Sequence, residues 1–455
     1  MADILATVFT IVLIFLGVVF FGYRAGVWFA VLLLPFSATY LIPRQMFGVV
    51  GLNPLNVTIV VTLIVFFFTW LRNPDENRVP RIPIILLIYL TMLLIAAGAG
   101  LFFIDLAPPQ ITPQGTLVPL TALKYLLEDL FKPMVILIVA FFAGVMVYSG
   151  RDAKSLLWAM AAALMIFAII IMVYIAGSGV SLKALASSRS RGFLSWMGMH
   201  ANELGLLLNM GAAIMLFSFL EARHQRGRTL LLLVAGSSAV TAALTFSRGA
   251  FLGLLFTMTY YLITRRRFRE LFVGLTLIIA VAISIPEAFI ERASTGIEKT
   301  DIESISAGRV DGIWKLLFPV FLDSPIWGHG LSSTLWAEPN RKGMRFGHPH
   351  SAYLAVLLDF GLLGAVLIAA FFMYMWKLFR RLKHEHPEAL WRGFFEGASV
   401  SLLLLLVQGL TGDRFVPTFP QVLLWIAFAM AIGFASRLWW ARNGKRVTSG
   451  GTIVT

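Results

Sequence analysis

The stretch LLWAMAAALMIFAIIIMVYIA, residues 156–176, decides the fold class. It holds no charged side chain and no alternation of apolar with polar residues. A hydrocarbon core about 30 Å thick needs about 20 such residues in a helix, whereas a barrel strand switches character at every second position. Lipid offers the backbone no hydrogen-bond partner, so a run like this is stable only as a helix. Working outward, comparable runs lie at 4–21, 26–43, 50–71, 84–105, 130–149, 202–220, 229–246, 249–264, 270–286, 351–377, 393–410 and 418–439. The expected fold is all-α: a polytopic transmembrane helical bundle of 12–13 spans. Arg24 is the only charge between the first two runs, so one of them is equally well re-entrant or interfacial.

The composition agrees. Of 455 residues, 59% are hydrophobic and 13% charged, about half the roughly 25% charge of a soluble domain. There are no cysteines, which excludes disulfide braces and thiol chemistry. A net charge of +14 suits basic loops and an anionic lipid substrate better than nucleic acid. No cleavable signal peptide is expected, because further apolar runs follow the first closely.

The connecting segments differ in charge. Arg72, Arg78 and Arg81 share one, and Arg151 and Lys154 the next but one. Arg223, Arg226 and Arg228, then Arg265, Arg266, Arg267 and Arg269, then Arg380, Arg381 and Lys383, and last Arg442, Lys445 and Arg446 continue the alternation. The positive-inside rule assigns these to the cytoplasm and 44–49, 107–129, 177–201, 247–248, 287–350 and 411–417 to the periplasm. Three regions result: N-terminal helices in 1–286, one large periplasmic loop at 287–350, and C-terminal helices with a short tail in 351–455. The loop far exceeds the usual connection of about 2–8 residues between packed helices. Within it, Ile313, Leu316, Leu317 and Val320 recur at helical spacing, which predicts a short amphipathic helix lying on the membrane surface with Trp314 and Trp327 near the headgroups. Arg292, Lys299, Arg309, Lys315, Arg341, Lys342 and Arg345 make this loop basic on the face that is normally arginine-poor, and that points to an anionic ligand.

Four features can carry chemistry. In GHPHSAYLAVLLDFGLLG (347–364), His350 stands where a polar loop enters a span. Imidazole titrates near pH 6.5 and accepts a proton at neutral pH; the plain alternative is a histidine capping a helix. In TFSRGAF (245–251), Arg248 occupies a tight turn between spans. It either snorkels to the interface or presents a fixed guanidinium to the cavity of His350, where a fork grips two phosphate oxygens. Arg309, ahead of the amphipathic stretch, and Arg189 with Arg191 in SSRSRGF (187–193) are either solvated charges or further anion ligands. Asn202 and Glu203 read as helix caps. Asp359 and Glu396 fall in or near spans, where charge demands a partner. No phosphate loop, zinc helix or carboxylate cluster is present, so no cofactor and no metal is expected.

The order of these features resembles the O-antigen ligase and polymerase superfamily. A tight SRG turn comes first, then GR…W…SPIWGHG, then a histidine opening a span as HSAYL…GLLG. The family motif, a histidine followed by a small polar residue, two variable residues and leucine, reads His350-Ser351-Ala352-Tyr353-Leu354 here. Ser351 stands where asparagine is usual, and His348 duplicates the histidine two positions earlier. The likeness is best over 187–364. It implies a GT-C-like glycosyltransferase of the bacterial inner membrane with its active site facing the periplasm. The donor would be O-antigen polysaccharide on undecaprenyl pyrophosphate and the acceptor a hydroxyl of lipid A–core, with neither metal nor nucleotide. On that reading His350 is the base, and Arg191, Arg248 and Arg309, with Arg189 and His348, bind substrate. Direct attack would invert the anomeric centre. Two other functions are compatible with the sequence: polymerase of the same superfamily, and a lipid-linked glycan transporter without chemistry.

Overall fold

A computed structural model describes residues 2–43, 45–46, 49–73, 79–111, 117–150, 152–179, 197–266, 309–344, 346–412 and 414–447. The chain is an all-α polytopic bundle. Its helices are α1 (Ala2–Phe21), α2 (Tyr23–Leu33), α3 (Pro54–Arg72), α4 (Ile84–Leu101), α5 (Ala122–Tyr148), α6 (Ala153–Gly177) and α7 (Ala201–Glu221). After these come α8 (Gln225–Leu244), α9 (Arg248–Arg265), the short α10 (Lys315–Asp323) and α11 (Glu338–Arg341), then α12 (Ala352–Glu385), α13 (Ala389–Gln408) and α14 (Val422–Val447). Two short hairpins, Gln45–Met46 with Val49–Val50 and Gln110–Ile111 with Leu117–Val118, join helices at one end. Among the described residues, nine helices are long and apolar enough to cross a bilayer, and the chain is a multi-pass membrane protein. The expected span 270–286 lies outside the described residues.

Burial sorts the helices. In α7, α13 and the segment Phe419–Ala441, 72% of the residues of the apolar window are buried, against 28% in α3 and α4. The first three form the centre, and the last two present leucine and phenylalanine outward, as lipid allows. Because lipid tails are as apolar as leucine, helices associate there through close packing of small residues. Gly393 and Gly397 on α13 do this: a Cβ added to them would lie 2.2 Å from the Phe217 carbonyl oxygen and 2.5 Å from the Ile214 Cα of α7. The Ser401 hydroxyl adds a 3.0 Å bond to the Met210 carbonyl across the same seam.

The basic segments gather at one end. Arg265 reaches Glu221 at 2.9 Å and the buried Glu396 at 2.8 Å, and Lys383 meets Glu396 at 2.7 Å. Lys154 pairs with Glu388 at 2.9 Å, Arg24 with Asp152 at 3.9 Å, and the Arg81 guanidinium stacks 3.3 Å over Trp439. The helix α7 carries the chain from Glu221 at this end to His200 at the other, about 30 Å away at 1.5 Å per residue.

Two expectations are modified. The run 26–43 is not one span: α2 begins at Tyr23, tightens into a 3-10 turn over Leu34–Ala38 around Pro35, and stops. Proline removes a donor and cannot continue an α-helix. The run 351–377 breaks at Gly361, whose φ of 64° is non-helical. The backbone groups freed there are met by 325–330: His329 and Gly330 donate N–H to the carbonyls of Leu358 and Asp359 at 2.8 and 3.1 Å, and Leu362 donates to Pro325 at 2.8 Å. Irregular backbone at membrane depth is tolerated where protein satisfies it. In the loop ahead of α12, Ile313, Leu317 and Val320 of the amphipathic stripe pack with Phe321 and Ala337 against Leu358, while Phe318 and Leu322 are exposed.

Candidate functional site

At the end opposite the basic loops, the first turns of α7, α9 and α12 converge with the segment 409–421 that joins α13 to α14. The α8–α9 turn is only three residues. Phe246 takes a left-handed φ of 49° to end α8, and Ser247 caps α9, accepting from the Ala250 N–H at 3.3 Å. The Ser247 hydroxyl also donates to Asn202 Oδ1 at 2.6 Å, which ties α9 to the first turn of α7. There His200 is the cap. Its Nδ1 accepts from the Asn202 N–H at 3.2 Å, and Glu203 reaches back to the His200 N–H at 2.9 Å.

The histidine loop is held from three sides. The Trp314 indole N–H donates to the Pro349 carbonyl at 2.9 Å, and the Ala352 N–H donates to the Gly409 carbonyl at 2.8 Å. The Ser351 hydroxyl caps α12 by accepting from the Leu354 N–H at 3.4 Å. Asparagine and serine are both strong N-caps, so a small polar residue after the histidine has a mechanical reason. Between these anchors His350 adopts φ 53°, a left-handed conformation uncommon for a residue with a Cβ. The rings of His348 and His350 lie 3.9 Å apart, tilted by 56°.

Both histidines line a cavity of about 360 Å³ together with Arg309, His200, Glu203 and Arg414. Gln408 and Gln421 add amides to its wall. Beyond the Arg414 guanidinium, which pairs with Asp129 behind the wall, the lining adds Arg309 and three imidazoles against the single carboxylate of Glu203, so the cavity suits an anion. Arg414 is fixed by a charge pair with the buried Asp129, which also accepts from the Ser332 hydroxyl at 2.5 Å. Asp129 sits in a π-turn, Leu127–Phe131, within α5, and such turns often re-aim side chains at functional sites. The Gln421 amide holds the Arg414 carbonyl at 2.9 Å.

Of the residues singled out in the sequence, the fold brings together His348, His350 and Arg309. Arg248 is the first residue of α9; its neighbour Gly249 lines the cavity, while the exposed Arg248 side chain stands outside its wall. Arg189 and Arg191 lie outside the described residues. Asp359 and Glu396 have structural partners: Asp359 accepts from the Ser333 N–H and hydroxyl at 2.9 and 2.7 Å, and Glu396 holds Arg265 and Lys383. Trp314 holds the histidine loop, whereas Trp327 is 72% exposed. Arg414 is not among the residues singled out in the sequence, although an arginine in 411–417, a segment expected to be arginine-poor, is the same signal that selects Arg309. Glu203, read in the sequence as a cap, both caps α7 and faces the cavity.

Residues 230–369, from α8 through the histidine loop into α12, match the family model described as O-antigen ligase. No curated protein matches the chain.

Proposed function

We propose, from the match of residues 230–369 to the O-antigen ligase family model, that this chain is a ligase of the O-antigen ligase/polymerase superfamily. It takes polysaccharide from undecaprenyl pyrophosphate and passes it to a hydroxyl of lipid A–core at the periplasmic face of the bacterial inner membrane. The observation that carries this reading is the anion-suited cavity in which His350 and Arg309 stand together. The leaving group is a pyrophosphate whose charge grows as the glycosidic bond breaks. Arg309, at the start of the 310–314 turn, stabilises that charge with its guanidinium, Arg248 extends the grip from the rim, and Arg191 is a further ligand of the anion. His350 accepts the proton of the acceptor hydroxyl as it attacks the anomeric carbon, which inverts that centre. His348 lies against the His350 ring and orients it. The left-handed backbone of His350 fits this role, since strained residues persist where the surrounding structure over-determines them.

Reconstitution tests it: purified protein, undecaprenyl-pyrophosphate-linked glycan and lipid A–core in detergent. A slower-migrating core band is the expected product. Elongation of the lipid-linked glycan with the core band unmoved would identify a polymerase, and no product of either kind would leave a transporter.

A further inference from the structure

A second cavity, about 390 Å³, opens beside the first. The two share Glu203, Arg414, Thr418 and Pro420, so these four residues border both cavities. The chemistry on the two sides differs. The first cavity adds Arg309 and three histidines to the shared pair and no further acid. The second adds Lys124 and Lys132 with Glu128 and Asp129, so its charges balance. It also has Gln110, whose Oε1 accepts from Lys124 Nζ at 3.1 Å, and an apolar floor that includes Leu120, Phe419 and Pro417.

A pyrophosphate gains little from that balance, because Lys132 already pairs with Glu128 and Arg414 with Asp129, and acids equal bases around the wall. A sugar does gain. Its hydroxyls both donate and accept, and paired carboxylates, ammonium groups and an amide offer both functions at close spacing. Its C–H faces lie on apolar side chains, the usual make-up of a small-molecule site with a few placed polar groups.

We propose that the second cavity binds the carbohydrate of the acceptor, and that its reacting hydroxyl meets the donor at the border the cavities share, beside Glu203 and Arg414. The inference rests on the transferase reading for the word acceptor, but the binding it asserts is measurable without transfer. Arg414 touches both compartments and Asp129 aims it, so the two substrates share one positioning element.

The test is equilibrium binding of two probes to the full-length protein in detergent: a lipid-free core oligosaccharide and undecaprenyl pyrophosphate. Ala38→Trp fills the second cavity from the 3-10 turn that follows α2, and Gln110→Leu removes an amide at its half-buried edge. Losing one or two hydrogen bonds to a bound ligand corresponds to about a tenfold loss of affinity. Each variant is expected to weaken oligosaccharide binding by about that factor and to leave undecaprenyl pyrophosphate binding unchanged. Gln110→Leu keeps the test open if Ala38→Trp does not fold. Oligosaccharide affinity untouched by either variant, a parallel fall for both probes, or no oligosaccharide binding by the wild type would each overturn the proposal. A wild type that binds the oligosaccharide through this cavity yet transfers nothing supports the sugar site and refutes the transferase reading alone.

Discussion

Holding His350 at φ 53° costs about 1 kcal/mol or more, since the left-handed region crowds a Cβ. The fold meets that cost with bonds at Pro349 and Ala352 and with the Ser351 cap. If His350 is the base, His350→Ala lowers the ligation rate by about 10²–10⁴ with donor binding intact. The wild-type rate then rises with pH as the imidazole loses its proton, because only the neutral ring accepts one. A flat or falling profile would make the ring a positioning group or a cation. At Arg309 the expected outcome is a strong loss of activity with lysine as well as alanine, because lysine keeps the charge but not the fork; full activity of Arg309→Ala removes it from the site. For Ser351 the cap predicts that asparagine retains activity while alanine lowers stability by about 1 kcal/mol, read as the melting temperature of the purified protein.

Among the elements, the α7–α13 seam positions the site, because α7 carries His200 and Glu203 and α13 leads into the segment of Arg414. Gly397 has no room for a side chain, with Ile214 Cα 2.5 Å from where its Cβ would be, whereas Gly236 on α8 has nothing within 4 Å. Gly397→Leu is expected to cost about 3 kcal/mol or more by overpacking, with a lower melting temperature, while Gly236→Leu melts like the wild type. Equal melting of the two would mean that the seam is looser than its geometry. The break in α12 works differently: it frees backbone groups that hold 325–330 in place, and that segment leads to Ser332 and Ser333, which bond Asp129 and Asp359.

At the scale of the whole molecule, the histidines and the basic loops occupy opposite ends of α7, so a bilayer around the bundle separates them. With no native cysteine, single cysteines report sidedness on a clean background. Lys342→Cys, at the histidine end, is expected to react with an impermeant thiol reagent from the periplasm. Glu385→Cys, at the end of α12, should react only after the inner membrane is opened. Labelling of both from one side would refute the proposed orientation.

The sequence by itself determined the helical class and the multi-pass character, because the length of an apolar run is a local property that a bilayer reads directly. It also selected His350, His348 and Arg309, since each stands in a short motif whose order along the chain is visible. Tertiary structure alone decided that Arg414 and Glu203 join them. Arg414 is aimed by Asp129, 285 positions away in the chain, and no local pattern encodes such a pairing. The break at Gly361 was equally hidden: glycine is common in membrane helices, and only the arrival of 325–330 shows which one interrupts its helix. The second cavity is likewise a product of packing, formed where the 3-10 turn after α2, α5 and the segment before α14 meet, and none of its walls carries a signature of its own.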